Sequence, residues 1–309
     1  MIACAADDRY VQHLAVMLQS VIANLGSDRL LEVHILHGGI NERNRLDLMR
    51  SLRRDRVSLQ FLTAKPETLA GLPLWGRMSV ATYYRLLITR LLPSAVSRAI
   101  WLDCDLVVTD DLARLWDMDL AGRHALAVQD HGVPFVSSPG GVAQYERHGL
   151  PADAGYFNAG VMLLDLDLLR RDEIPARAIE YLLQHRDTVV FWDQEALNAV
   201  LAGKWGALDP RWNHIANPRD ALPRRGQDSP WIYHFTGTVK PWTYPTADPS
   251  HALYYRYLDQ TAWAGWRPKR SLAGAVIATY LTSRLRTMLY PTEEWLMGRL
   301  RTLTRKYAA

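Results

Sequence analysis

The first hundred residues alternate short apolar runs with helical spacings, and two of the runs end in acids. Residues 2–6 are apolar and lead into Asp7-Asp8. Residues 10–25 carry Leu14, Met17, Leu18, Val21, Ile22 and Leu25 on one helical face, with Gly26 as a stop. A second strand is expected over 31–36, closed by Gly38-Gly39, then a charged helix over 41–53 with Leu46 and Met49 inward. A third strand follows over 57–62, a helix over 79–91 stopped at Pro93, and a fourth strand over 99–102 ending at Asp103-Cys104-Asp105. This β-α-β-α-β order implies an α/β fold, a mostly parallel, Rossmann-like sheet with helices on both faces. In such sheets ligands bind beyond the carboxyl ends of the strands, where both acidic clusters fall.

The second half is more mixed. Strands are expected over 125–129, 158–164 and 231–235, and helices over 174–184 and 193–201. The stretch 130–156 holds Pro134, Pro139, Gly140-Gly141 and Pro151 without a period. A long irregular loop inside a compact domain is often an active-site lid.

Two carboxylates delivered one residue apart by an apolar strand suit Mg²⁺ or Mn²⁺ bridging a diphosphate. Solvated strand-end acids are the plain alternative to that reading of Asp103 and Asp105. Haloacid-dehalogenase-type phosphatases carry a similar Asp-x-Asp, with a nucleophile and a general acid, but there the motif opens the domain; here three strands precede it.

The company the motif keeps separates these readings. Ala5-Ala-Asp-Asp-Arg-Tyr10, Ala81-Thr-Tyr-Tyr-Arg85, Trp101-Leu-Asp-Cys-Asp105, Tyr156-Phe-Asn-Ala-Gly160, Trp192-Asp-Gln194 and the run from His234 to Trp242 stand in one order. Together they resemble glycosyltransferase family 8, nearest the bacterial lipooligosaccharide galactosyltransferases and lipopolysaccharide glucosyltransferases, over roughly residues 1–250. The resemblance implies the GT-A nucleotide-diphospho-sugar transferase fold, a UDP-galactose or UDP-glucose donor, Mn²⁺ or Mg²⁺, and a retained anomeric configuration.

Carried over residue by residue, the resemblance puts Ala5 and Asp7 at the uracil, where a carboxylate can accept the imide N–H, with Tyr10 stacked on the base. Arg9 stands where the family often has Asn, and in its place the longer side chain is expected at ribose or phosphate. Capping of the 10–25 helix is the structural alternative for Asp7 and Asp8. Asp103 and Asp105 correspond to metal ligands with His234 as the third, and Cys104 lies between them at the donor. Gly237 allows close backbone approach to phosphate, Lys240 supplies a point charge, and Trp242 reads as packing. Arg85 matches a residue that binds donor hydroxyls and diphosphate, against a surface salt bridge as the alternative. Asn158, Ala159 and Gly160 match the sugar pocket, as do Asp130 and Asp193; Gln194 matches the side chain beside the anomeric carbon. The catalytic assignments are therefore Asp130, Asp193 and Gln194. Gln194 is a poor nucleophile, which favours attack from the leaving-group face. A glycogenin-like self-glycosylating enzyme and a non-catalytic UDP-sugar-binding protein share most of these features.

The charge is uneven. The formal net charge is +4, yet residues 267–309 hold nine basic side chains against Glu293 and Glu294, leaving about −3 for the rest. That argues against nucleic acid as a partner of the catalytic domain. Cys4 and Cys104, both in segments that read as buried strands, suggest no disulfide framework. MIACAADD does not read as a signal peptide, and the uncharged stretch 271–283 is too short to cross a bilayer. A cytoplasmic enzyme is expected, with residues 1–250 as the catalytic domain and 251–309 as a basic, aromatic helical appendage. Segments 272–289 and 292–306 mix Leu and Trp295 with Arg and Lys, as an interfacial helix on an anionic membrane needs; simple packing on the catalytic domain is the alternative.

Overall fold

The computed structural model describes residues 1–26, 28–52, 55–74, 79–216, 229–237, 240–243 and 249–269. The two C-terminal segments behind the membrane expectation lie outside them.

The chain opens β1 (Ile2–Ala5), α1 (Val11–Asn24), β2 (Leu31–His37), α2 (Glu42–Ser51), β3 (Val57–Thr63). A 3₁₀ turn over Val80–Leu87 runs into α3 (Ile88–Leu91), then β4 (Arg98–Leu102), β5 (Leu106–Val108), α4 (Ala113–Trp116) and β6 (Ala125–Gln129). After the irregular stretch come β7 (Phe157–Asp165), α5 (Leu166–Arg171), α6 (Ile174–Gln184), α7 (Trp192–Leu201), β8 (Trp205–Ala207), β9 (His214–Ile215), β10 (Ile232–His234) and α8 (Pro249–Leu258).

A seven-stranded sheet has the order β3-β2-β1-β4-β7-β6-β8. It is mostly parallel, as expected, but β7 runs antiparallel to both β4 and β6. Hydrophobic alternation explains how it sits. On β1 and β4, Ala3, Ala99 and Trp101 face one core, while Ile2, Cys4, Ile100 and Leu102 face the other. A sheet buried on both faces needs helical layers on both. The first is covered by the 3₁₀ turn, α6 and α7 through residues such as Tyr83, Leu182 and Leu197, the second by α1 and α2 through Leu14, Leu18 and Leu48. Strand order reverses at β1, whose neighbours are β2 and β4, both parallel to it. The crevice at such a reversal is where ligands bind in open α/β sheets, and Asp7 and Asp103–Asp105 follow the two strands that flank it.

β5, β10 and β9 form a small second sheet. It returns the chain from β10 alongside β5, register-pairing His234 with Leu106 and so bringing His234 beside the Asp103–Asp105 turn. Helix α8 runs through the expected boundary at residue 250. Its Leu253, Tyr254, Tyr257 and Leu258 join Val16 of α1, Val107 of β5, Tyr233 and Phe235 in a third apolar cluster.

Four local expectations need correction. The 79–91 helix is a 3₁₀ turn leading into one α-turn; the Tyr83 hydroxyl donates to the Pro73 carbonyl and Arg85 to the Ala159 carbonyl, and these tertiary anchors override helical propensity. In α2 the inward residue is Leu48, fully buried, while Leu46 is 39% exposed. Cys104 is buried in the turn after β4 rather than in a strand. Asp8 does not cap α1; its carboxylate accepts from the Asn41 amide groups and Asn44 Nδ2, tying the end of β1 to the start of α2.

This arrangement predicts that Leu48→Ala costs about 2–5 kcal/mol by leaving a cavity, whereas Leu46→Ala stays within about 1 kcal/mol. Urea unfolding of both variants checks it; equal losses would place α2 in the wrong rotation.

Candidate functional site

Asp103 and Asp105 sit on the turn between β4 and β5, and neighbouring backbone fixes that turn. The Asp103 N–H donates to the Gly160 carbonyl of β7, and the Phe235 N–H after β10 donates to the Asp105 carbonyl, both at 2.9 Å. Asp103, Asp105 and His234 bring one ligand atom each within 4.8 Å of one another. His234 Nε2 lies 3.2 Å from Asp105 Oδ1. On the far side of the ring Nδ1 is 2.9 Å from Asn213 Oδ1. With Asn213 accepting from Nδ1–H, the Nε2 lone pair faces the carboxylates, as a metal-binding imidazole requires. Two carboxylates and one imidazole fit Mn²⁺, or Mg²⁺ with more oxygen ligands from substrate. The Lys240 ammonium donates to Asp105 and, at 2.6 Å, to the Phe235 carbonyl. Burial alone would raise the Asp105 carboxyl; Lys240 and His234 together hold it well below the usual range.

Gly160 is required by close approach. A Cβ there would lie 2.3 Å from His234 Cε1. Gly237 is required by conformation, at φ +75° in open space.

Arg85 is buried, not a surface ion pair. Its guanidinium donates to Asp103 at 2.8 Å and to the Ala159 carbonyl, and its Nε is 2.6 Å from Asp193 Oδ2. Asp193 heads α7, where burial pushes its carboxyl up to about 6, against the pull of Arg85. Gln194 follows; its Oε1 accepts from the Ala159 N–H at 3.1 Å and its Nε2 donates to Asp130 Oδ2 at 3.1 Å. Asn158 Nδ2 donates to the same Asp130 oxygen at 3.0 Å, and Asn158 Oδ1 accepts from Asn213 Nδ2 at 2.9 Å. One hydrogen-bonded chain thus runs from His234 through Asn213, Asn158 and Asp130 to Gln194.

At the other end of the crevice, Asp7 Oδ1 accepts from the Arg9 and Tyr10 N–H groups, and its other oxygen pairs with the Arg9 guanidinium at 3.0 Å. Burial would raise the Asp7 carboxyl, but the Ser79 hydroxyl and Arg9 bring it below its ordinary value. Tyr10 stands edge-on to Trp242, and burial, with the Asp105 charge next, raises its phenol to about 12. The Cys104 thiol donates to the Ala5 carbonyl at 3.0 Å, joining the turn after β4 to the end of β1.

Three residues of this site carried no sequence signal. Asn213 ends a 3₁₀ turn over Pro210–Asn213, where the sequence offers no site motif. Glu195, fully buried, accepts from the Ala143, Val190 and Phe191 N–H groups and the Tyr181 hydroxyl. It braces the start of α7, whose first residue, Trp192, takes φ +49°, a strained value for an L-residue. His13, read only as helix, stacks on Trp242.

Comparison with known proteins comes down on one side of the Asp-x-Asp alternatives. The family model described as Glycosyl transferase family 8 matches residues 1–246. General stress protein A of Bacillus subtilis (strain 168) is 32% identical over 279 residues, 85% of this chain and 94% of its own. Lipopolysaccharide 1,2-glucosyltransferase of Escherichia coli (strain K12) is 24% identical over 87% of this chain and 80% of its own. The crystal structure of the galactosyltransferase LgtC with donor and acceptor sugar analogues superposes with a TM-score of 0.72 at 29% identity, over 84% of this chain and 95% of that one. The fold is therefore GT-A, and no helix among the described residues is long and apolar enough to cross a membrane.

The raised Asp193 carboxyl sets a pH dependence. Its folded-state value of about 6 exceeds its value of 3.8 in the unfolded chain, so between those values the folded protein holds the proton that the unfolded chain has lost. This residue's contribution is therefore greatest at low pH and falls as pH rises toward 6. Asp193→Asn removes that fall. Urea midpoints from pH 4 to 6.5 should decline less steeply in the variant than in wild type; identical slopes would mean Asp193 titrates as in the unfolded chain.

Proposed function

The chain belongs to glycosyl transferase family 8, and from that premise we propose that it transfers galactose or glucose from a UDP-sugar to an oligosaccharide acceptor, with retention at the anomeric carbon. The acceptor in this reading is a lipid-linked saccharide of the lipopolysaccharide or lipooligosaccharide type. The observation that carries it is the convergence of Asp103, Asp105 and His234 at one end of the hydrogen-bonded chain that ends at Gln194.

The residues divide the work by chemistry. Asp7, with Ala5 and Tyr10, would hold the uracil; a carboxylate there accepts the imide N–H, and Arg9, which pairs with that carboxylate, would reach ribose or phosphate. Asp103, Asp105 and His234 would hold Mn²⁺ or Mg²⁺, which when bound supplies Lewis-acid neutralisation of the diphosphate. Lys240 would move from Asp105 toward the β-phosphate, whose negative charge grows as the glycosidic bond breaks. Arg85, Asp130, Asn158 and Asp193 offer the donors and acceptors that hexose hydroxyls require, and the Ala159 and Gly160 backbone forms the floor beneath them. Gln194 would sit beside the anomeric carbon. A neutral amide is a poor nucleophile, so the acceptor hydroxyl attacks from the leaving-group face through an oxocarbenium-like state, with the departing phosphate oxygen taking its proton.

Incubation with Mn²⁺ and a panel of UDP-sugars, with released UDP measured, tests the reading and identifies the donor. Asp103→Asn and Asp105→Asn should each lower UDP release roughly 100-fold or more, and EDTA should do the same to wild type. Full activity in EDTA would remove the metal from the reading. NMR of the product linkage should give the donor's α configuration; a β linkage would contradict retention.

The basic C-terminal segment gives the proposal its location, the inner face of the cytoplasmic membrane. Each Lys or Arg near an anionic leaflet contributes about 1 kcal/mol, and residues 267–309 carry nine. The full chain should float with phosphatidylglycerol vesicles at low salt, and a chain ending at 269 should not. Equal behaviour of the two would detach the tail from membrane binding.

A further inference from the structure

Helix α8 begins after residue 246, where the family match ends, yet it grips the turn that carries Lys240. The Thr243 N–H donates to the Lys240 carbonyl at 2.9 Å, closing the turn. The Tyr255 hydroxyl of α8 donates to the Pro241 carbonyl inside it. Trp242 stacks on His13 of α1, with ring centroids 3.7 Å apart and planes 17° from parallel. Tyr254 packs against Trp242 at 5.1 Å, and its hydroxyl shares a 2.7 Å hydrogen bond with His13 Nδ1. Behind Tyr255, the Arg267 guanidinium lies 4.3 Å over the ring and pairs with Asp259 at 2.6 Å. The turn is therefore held on one side by α1 and on the other by α8.

The clamp bears on chemistry through Lys240. Lysine is a flexible point charge that loses rotamer freedom whenever it is held in one place. Here its ammonium is fixed on Asp105 and the Phe235 carbonyl and lies 5.6 Å from the Trp242 ring centre. Burial, with the Lys240 charge next, lowers the His13 imidazole to about 3, so the stack sets a neutral ring beside the ammonium.

We propose that Trp242, Tyr254 and Tyr255 are positioning residues that act through Lys240. By fixing its turn they keep the ammonium at the Asp105 end of the donor site, which makes the helix beyond the family domain part of the donor-binding machinery. This rests on the donor reading above.

Calorimetry of UDP binding to the full chain in Mn²⁺ tests it. Lys240→Ala should weaken UDP by about 10- to 100-fold, the loss of one charge-assisted hydrogen bond. Tyr255→Phe, which removes a single hydroxyl, should weaken it by about 3- to 10-fold, and Trp242→Leu by more, approaching Lys240→Ala. Trp242→Phe, which keeps a stacking ring, should recover most of the affinity. On the Lys240→Ala background none of these changes should weaken UDP further, because residues acting through one group are not additive. No UDP binding by wild type would sink the donor reading and the clamp with it. Wild-type affinity in Tyr255→Phe, additive losses on the Lys240→Ala background, or an unchanged Lys240→Ala would each overturn the clamp alone. Should Trp242→Leu fail to fold, Tyr255→Phe decides.

Discussion

The Arg85 guanidinium is the interaction on which the site depends. It is almost wholly buried, and it reaches Asp103 on the turn after β4, the Ala159 carbonyl on β7 and Asp193 at the head of α7. A guanidinium cannot shed its charge by deprotonation, so burial demands partners on every side. Removing one partner from such a site leaves an uncompensated charge, at a cost of about 3–5 kcal/mol. Because Arg85 lies on a 3₁₀ turn rather than a regular helix, its position follows from its partners more than from local propensity. The carboxylate turn, the antiparallel strand and the α7 head are thereby set relative to one another by one side chain, which also packs over Trp101 at 5.2 Å.

A second constraint runs alongside it. In the chain His234–Asn213–Asn158–Asp130–Gln194 the two Asn amides each donate and accept at once, and Asp130 takes both of its partners through one oxygen. Such chains hold their members in single orientations when fully satisfied. Changes at the metal-binding end and at the sugar pocket are then mechanically linked under the proposed function. Trp192 Nε1, buried at the head of α7, has no hydrogen-bond partner among the described residues. Buried polar atoms without partners are uncommon, and this one lies two residues before Gln194.

What could be read in the sequence, and what could not, follows from the range of each interaction. The acids after β1 and β4 are legible because a short continuous apolar run predicts a buried strand and a strand end predicts exposure. Gly160 and Gly237 stood out by motif, although the reason for Gly160, the approach of His234, is a contact across 74 positions of chain. The reversal of β7 left no local trace, since its residues are as apolar as those of a parallel strand. The winding of residues 80–87 has no local signal, because its causes, Pro73 and Ala159, lie outside any helical window. Asn213, Glu195 and His13 look like ordinary loop or helix residues until the sheet brings their partners to them. The fold was thus visible through local periodicity, the site through clustered motifs, and the second layer of contacts not at all.

Electrostatics ties these layers together. Across the pocket, Asp103, Asp105, Asp130 and Asp193 set four carboxylates against two permanent cations, Arg85 and Lys240. Arg85 is committed to Asp103 and Asp193, and Lys240 to Asp105, so neither of these two cations is free to meet a nucleotide diphosphate. An anionic ligand approaching this pocket meets net repulsion, which is stronger where solvent is partly excluded. A divalent cation on Asp103, Asp105 and His234 would balance the excess and release Lys240 from Asp105, since the same carboxylate cannot satisfy both fully. The clamp on the Lys240 turn then gains a physical purpose. A lysine freed from its carboxylate must stay within reach of the phosphate rather than swing into water, and its backbone, held between α1 and α8, is what limits that swing.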